Sequence, residues 1–155
     1  MADQKPVVAY ESNVDAVIKA TANKLAKAAE LIGQSAETHA KQYVTIAVYE
    51  TPQGWYIRTS NLKNGITHQT EQDENGTTVV VGTDVEYAPY VELGTGKYAE
   101  PGTSKAKKIP WHYQDEKGNW HTTSGMPARP FLRPAIEIHL DEYRKILEDE
   151  LKSTE

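Results

Sequence analysis

Apolar residues recur at alternating steps of four and three along Val14, Ile18, Thr21, Leu25, Ala28 and Ile32, which is one face of a helix. Ser12 or Asn13 can cap its start, the side-chain oxygen accepting an orphan amide hydrogen bond. Ala16, Ala20, Ala22, Ala26 and Ala29 add helix propensity on the other faces. The register continues past Gly33 through Ser35, His39, Gln42, Ile46 and Tyr49. Residues 43–49 are also rich in β-branched and aromatic side chains, so residues 44–50 read equally as continued helix or as strand. Thr51-Pro52-Gln53-Gly54 ends either element, and residues 1–11 read as an extended arm.

Beyond this point the period shortens. Residues 60–65 read as a turn or a single helical turn. Ile66, His68 and Thr70 alternate with polar residues, as in a strand, and residues 77–81 supply the returning strand. Asp73-Glu74-Asn75-Gly76 joins them, because Asn-Gly tolerates positive φ. Residues 87–93 form a short helix stopped by Gly94, with Tyr87, Val91 and Tyr90 turned inward. A long stretch of low periodicity follows, with an extended loop over residues 96–128. It carries its own hairpin, Trp111-His112-Tyr113-Gln114 against Trp120-His121-Thr122-Thr123. The last element is a helix over residues 133–151 with Pro134 in its first turn. Ile136, Leu140, Tyr143, Leu147 and Leu151 form its buried face, and Asp141 and Lys145 an i,i+4 pair. Phe131, the only Phe, is framed by prolines and anchors this helix on the sheet near Val80 and Val91. The fold class is α+β in a single domain over residues 1–155: a long N-terminal helix, a small antiparallel sheet with a short inserted helix, a long loop with a β-hairpin, and a C-terminal helix.

Composition narrows the function. The chain has 155 residues with a hydrophobic fraction of 38%, which leaves a large surface for partners. It lacks cysteine, which excludes disulfides, thiolate metal sites and cysteine nucleophiles. It shows neither a signal peptide nor an apolar run long enough for a membrane span. The net charge of -5 is unevenly distributed: residues 94–133 carry net +4 between flanks of net −5 and −4. A basic middle between acidic flanks supports head-to-tail association between copies.

Catalytic chemistry is not signalled. No histidine pair has the spacing of a zinc protease helix. His112 and His121 could face each other across the hairpin, but a third metal ligand is missing. Gly94-Thr95-Gly96-Lys97 lacks the spacing of a phosphate loop and reads as a helix end. Ser104 and Ser124 have no base partner in sequence. We therefore expect no catalytic, metal or cofactor-binding residue. The candidate partner-binding residues are Lys97, Lys105, Lys107, Lys108, Trp111, Trp120, Arg129 and Arg133, with acids such as Glu86, Glu92, Glu137, Asp141, Glu148 and Asp149 as their counterparts. An internal tie from the arginines to Glu92 is the competing reading. Basic and aromatic residues in one hairpin also fit a small binding module for nucleic acid or an envelope partner.

Two blocks stand out: Tyr-Ala-Pro-Tyr-Val-Glu-Leu-Gly-Thr-Gly at residues 87–96 and Ala-Arg-Pro-Phe-Leu-Arg-Pro-Ala at residues 128–135. Tyr87, Tyr90, Glu92, Gly94, Thr95, Pro130 and Phe131 are their distinguishing members. Together they resemble the signatures of a minor tail or neck family of long-tailed phages. Residues 58–66 are similar to a third block of that family, with Ser60 at a usual Gly and Gly65 at a usual Ser. Residues 111–131 resemble a fourth, and the block order matches over about residues 12–150. The resemblance implies a non-enzymatic virion protein of the neck, present in the host cytoplasm during assembly. It implies a homo-oligomeric ring between the head-closure or connector protein and the tail terminator, with passive contact to DNA in the channel and no membrane partner. It also favours continued helix over residues 44–50.

Overall fold

The computed structural model describes residues 11–50 and 60–153, so all of the expected arm at residues 1–11 but Glu11, and the turn at residues 51–54, lie outside the described residues. Helix α1 runs Val14–Val44, about 46 Å at 1.5 Å per residue. Asn13 is its N-cap, but its side chain makes no capping bond. Its backbone carbonyl accepts from Val17 instead, at 3.1 Å. Residues 45–49 continue the helix as one wider π turn, not as a strand. The Glu50 amide donates to the Thr45 carbonyl at 2.9 Å, a five-residue step. Thr45 Oγ1 donates back to the Lys41 carbonyl at 2.8 Å.

The buried face of α1 is Ala28, Ala29, Gly33, Ala36, Ala40 and Val44. These small residues let other elements approach closely. The expected stripe holds only in part: Val14 is 55% and Ile18 61% exposed. The reason is where the partner helix stops. Lys24 Nζ donates to the carbonyls of Leu151 and Ser153, and Lys27 pairs with Glu150 at 3.1 Å. These contacts meet the C-terminal end of the last helix, and the first turns of α1 run on past it.

Helix α2, Asn61–Asn64, is a single turn. Ser60 enters it with φ 64° and ψ 9°, left-handed values that glycine adopts at little cost. Strands β1, Ile66–Asp73, and β2, Gly76–Thr83, pair antiparallel with His68 opposite Val81. Their turn falls at residues 73–76 as expected, with Gly76 at φ +150°. Asp73 Oδ1 accepts from the amides of Asn75 and Gly76 at 2.8 and 3.0 Å, and Gly76 already pairs with Asp73. Helix α3, Ala88–Leu93, follows. Strands β3, Trp111–Gln114, and β4, Trp120–Thr123, form a separate two-stranded sheet.

The expected final helix is two. Helix α4 covers Leu132–Glu137 and α5 Leu140–Lys152. At the break, the Ala135 carbonyl accepts from the buried Tyr143 hydroxyl, whose pKa burial pushes up to about 12. The inward residues are Ala135 and Tyr143, while Ile136, Leu140 and Leu151 are exposed. Asp141 pairs with Arg144 at 3.0 Å in place of Lys145. One core joins the pieces: Ala40, Val44, Leu62, Ile66, Ala88, Val91, Phe131 and Ala135. Phe131 is fully buried there, with Val91 and the half-buried Val81; Val80 points to solvent.

His68 ties the sheet to α1. Its Nδ1 lies 2.6 Å from Glu37 and its Nε2 3.1 Å from Glu30. Two carboxylates facing two ring nitrogens require both to carry protons, so the imidazolium is the matched form. The Glu37 and Glu30 carboxylates accordingly raise the His68 pKa against the effect of burial. The ring packs closely against Gly33, where a Cβ would come within 2.4 Å of its Cδ2 atom. A pKa raised above the unfolded 6.5 gives stability that is fully present below pH 6.5 and is lost as pH rises through the folded value. Thermal melts of wild type and His68→Gln should therefore differ most near pH 6 and converge toward pH 9. A constant gap across that range would show that the ring is not charged.

Candidate functional site

Residues 91–100 and 124–133 are zipped together. The Arg129 amide donates to the Val91 carbonyl at 2.7 Å, Thr95 to Met126 at 2.8 Å, and Lys97 to Ser124 at 2.8 Å. Thr95 Oγ1 accepts from the Met126 amide at 2.9 Å. The centre of the zip is Glu92. Its carboxylate accepts from the amides of Phe131 at 2.7 Å, Leu132 at 3.0 Å and Arg133 at 3.0 Å. A helix start leaves such amides orphaned, and a carboxylate there also suits the local dipole. Glu92 thus caps α4 from some forty residues away in sequence.

This geometry dictates Gly94. Its φ is +75°, and a Cβ would stand 2.6 Å from the Ala128 amide nitrogen and 2.9 Å from the Met126 oxygen. The residue ends α3, as expected, but close backbone approach is what requires glycine. The glycine-threonine-glycine run is consumed by the zip and does not form a phosphate cradle.

The arginines divide their roles. Arg133 grips Glu100 through two bonds of 2.9 and 3.0 Å. The guanidinium holds the Glu100 carboxyl below the usual range. The internal tie to Glu92 exists, but backbone amides make it. Glu100 had no distinguishing signal in sequence. The Arg129 side chain forms no ion pair among the described residues. Tyr87 and Tyr90 do not turn inward: they are 44% and 50% exposed, while Ala88 and Val91 fill the core. Pro130 is exposed beside Phe131.

Outside the zip lies an open cleft of about 530 Å³. Tyr90, Gly96, Trp111, Lys105, Lys107 and Lys108 are among the residues that line it. The three lysines are exposed and form no ion pair among the described residues. Lys97 Nζ sits 5.6 Å from the Tyr98 ring centre. The cleft combines three lysines with the aromatic side chains of Tyr90 and Trp111, a surface suited to carboxylates.

The hairpin register separates its aromatics. Trp111 pairs with Thr123 and Gln114 with Trp120, so the two indoles lie on opposite faces. Trp111 faces the cleft; Trp120, 72% exposed, faces away. They do not make one stacking platform. The same register separates His112 from His121. His112 Nδ1 meets Thr122 at 2.8 Å, and His121 Nε2 meets Asp115 at 2.9 Å. Asp115 closes the turn, its pKa lowered first by His121 and then by the Asn119 amide. A metal shared by these two histidines does not fit this arrangement.

A model of the HK97-gp10-like family, described as "Bacteriophage HK97-gp10, putative tail-component", matches residues 11–94. That span is just over half of the chain, from the start of α1 to Gly94. No curated protein and no solved structure matches the chain.

Removing the Glu92 carboxylate takes the acceptor from three amides, two of them part-buried. Glu92→Ala should cost about 3 kcal/mol, as the loss of charged acceptors does, with Glu92→Gln milder because one oxygen remains. Urea unfolding of the three proteins measures this. Equal midpoints would show that water replaces the carboxylate without loss.

Proposed function

Because this chain belongs to the HK97-gp10-like family of bacteriophage tail components, we propose that it is a structural subunit of the phage neck, where copies form a ring joining the head-closure complex to the tail. A tail component is a part of the virion and meets other virion proteins. In this reading one face contacts the head-closure or connector protein, the other the tail terminator, and DNA passes the channel with passive contact only. The chain performs no catalysis and needs no cofactor.

The observation that carries the proposal is that one chain bears both a lysine-lined cleft and an acidic C-terminal segment. Lys105, Lys107, Lys108 and Trp111 line the cleft, Lys97 and Arg129 belong to the zipped segments beside it, and Arg133 is held to Glu100 within the chain. Glu137 at the end of α4 and Asp149 in α5 are exposed carboxylates without an ion pair among the described residues. Unlike patches on one subunit match a heterologous contact, the kind that closes into rings. The long exposed stretch between the two zipped segments reaches outward to make it.

Reversing the three loop lysines to Glu tests the reading. Exposed substitutions of this kind change stability by only about 0.5 kcal/mol, so the purified subunit should melt as wild type does. In a phage that depends on this variant, electron microscopy should find filled heads and finished tails that fail to join. Normal joined particles would remove the cleft from the interface. Joined particles with tails of altered length would place the protein in the tail body and overturn the neck reading.

A further inference from the structure

We infer that the lysine cleft takes the acidic tip of the β1–β2 hairpin from a second copy of the chain. This rests on the proposed ring of copies and names what occupies the cleft. Lys105, Lys107 and Lys108 line the cleft and form no ion pair among the described residues. The carboxylates nearest them in sequence are engaged elsewhere: Arg133 holds Glu100 at 2.9 Å, and His121 lies 2.9 Å from Asp115. Three like charges so close in the chain repel one another, and an anionic occupant relieves that repulsion.

The hairpin tip has the complementary character. Residues 69–76 are exposed throughout. They include Glu71, Asp73 and Glu74, and among the described residues the ion pairs of β1 are those of His68 alone. The tip is also preformed: Asp73 Oδ1 accepts from the amides of Asn75 and Gly76, which fixes the turn before any contact. A preformed turn loses little freedom on docking. Glu71 and Asp73 alternate with Gln72 and so share one face of the hairpin. Val80, opposite Gln69 on that same face, is 49% exposed and offers apolar area to the aromatic rings of the cleft.

Within one chain no ion pair joins the three lysines to the tip, so the match is one between copies. Two different patches that fit each other make a heterologous contact, which passes from copy to copy around a ring. The C-terminal segment is the weaker counterpart for the cleft. Its Asp141, Glu148 and Glu150 pair with Arg144, Lys152 and Lys27 of the same chain. The unpaired Glu137 and Asp149 stand on separate helices, whereas the hairpin gathers its carboxylates on one turn.

A charge swap in a phage that depends on this chain tests the pairing. Glu71→Lys with Glu74→Lys reverses the tip and leaves Asp73 to close the turn; Lys105→Glu, Lys107→Glu and Lys108→Glu reverse the cleft. All five sites are exposed or lie in exposed turns, so each purified variant should melt as the wild type does. Either reversal alone sets like charges face to face and should lower the titre of infective particles at least about tenfold. Both reversals in one chain should restore it. In purified wild-type particles, a carbodiimide should join copies through amides between residues 105–108 and Glu71 or Glu74. A cleft reversal that blocks infection and is not rescued by the tip reversal would overturn the hairpin as occupant while leaving the neck reading in place. Links from these lysines to Glu137 or Asp149 instead would do the same. Rescue accompanied by tails of altered length in the single variants would uphold the pairing and overturn the neck reading.

Discussion

The carboxylate of Glu92 takes three consecutive backbone amides at the start of α4. Much else follows from that contact. It holds Phe131 at the point where the side chain drops fully into the core. It sets α3 against α4, and so both against α1 and the sheet. It also aligns the flanking backbones, which approach so closely that Gly94 tolerates no side chain. The chain between the zipped segments is thereby anchored at both ends, and its middle is left outside. Residues 104–110 are exposed throughout, a state that packing at the anchors makes affordable.

Helix α1 organises the other half through small residues. Its alanine face and Gly33 admit α5 on one side and the His68 ring on the other. Its first turns extend beyond the end of α5 with valine and isoleucine in solvent. The molecule thus combines a thin, well-tied core with features that project: a helix end, a lysine-bearing loop and an acidic helix. That division suits a virion component, whose surface is shared with neighbours, better than an enzyme, whose chemistry needs an enclosed cavity.

Local signals were the legible ones. The period of α1, both hairpins and the stop at Gly94 were readable because each depends on neighbours in sequence. The two conspicuous blocks were visible as text, but their meaning lies in the contact between them. The pairing of Glu100 with Arg133 and that of His39 with Glu142 were not legible, since each joins positions some thirty to a hundred residues apart. The break before His139 also escaped, because the apolar steps run through it unbroken; the Tyr143 hydroxyl that meets the Ala135 carbonyl is a tertiary fact. The pattern of residues 87–93 points Tyr87 and Tyr90 inward, yet Ala88 and Val91 are the residues that join Phe131 in the core. In residues 43–49, helical continuation from α1 overrode strand propensity, with the π turn as the accommodation.

The dependence of the fold on Glu92 can be read directly at the three amides it binds. Native-state hydrogen exchange of Phe131, Leu132 and Arg133, followed by NMR, resolves them individually. In the wild type all three should be protected far beyond the exposed amides of residues 104–108. In Glu92→Gln their protection should fall selectively, while the β1–β2 amides keep theirs. Protection at residues 131–133 that is unchanged by this substitution would contradict the account, because the start of α4 would then be held by something other than Glu92.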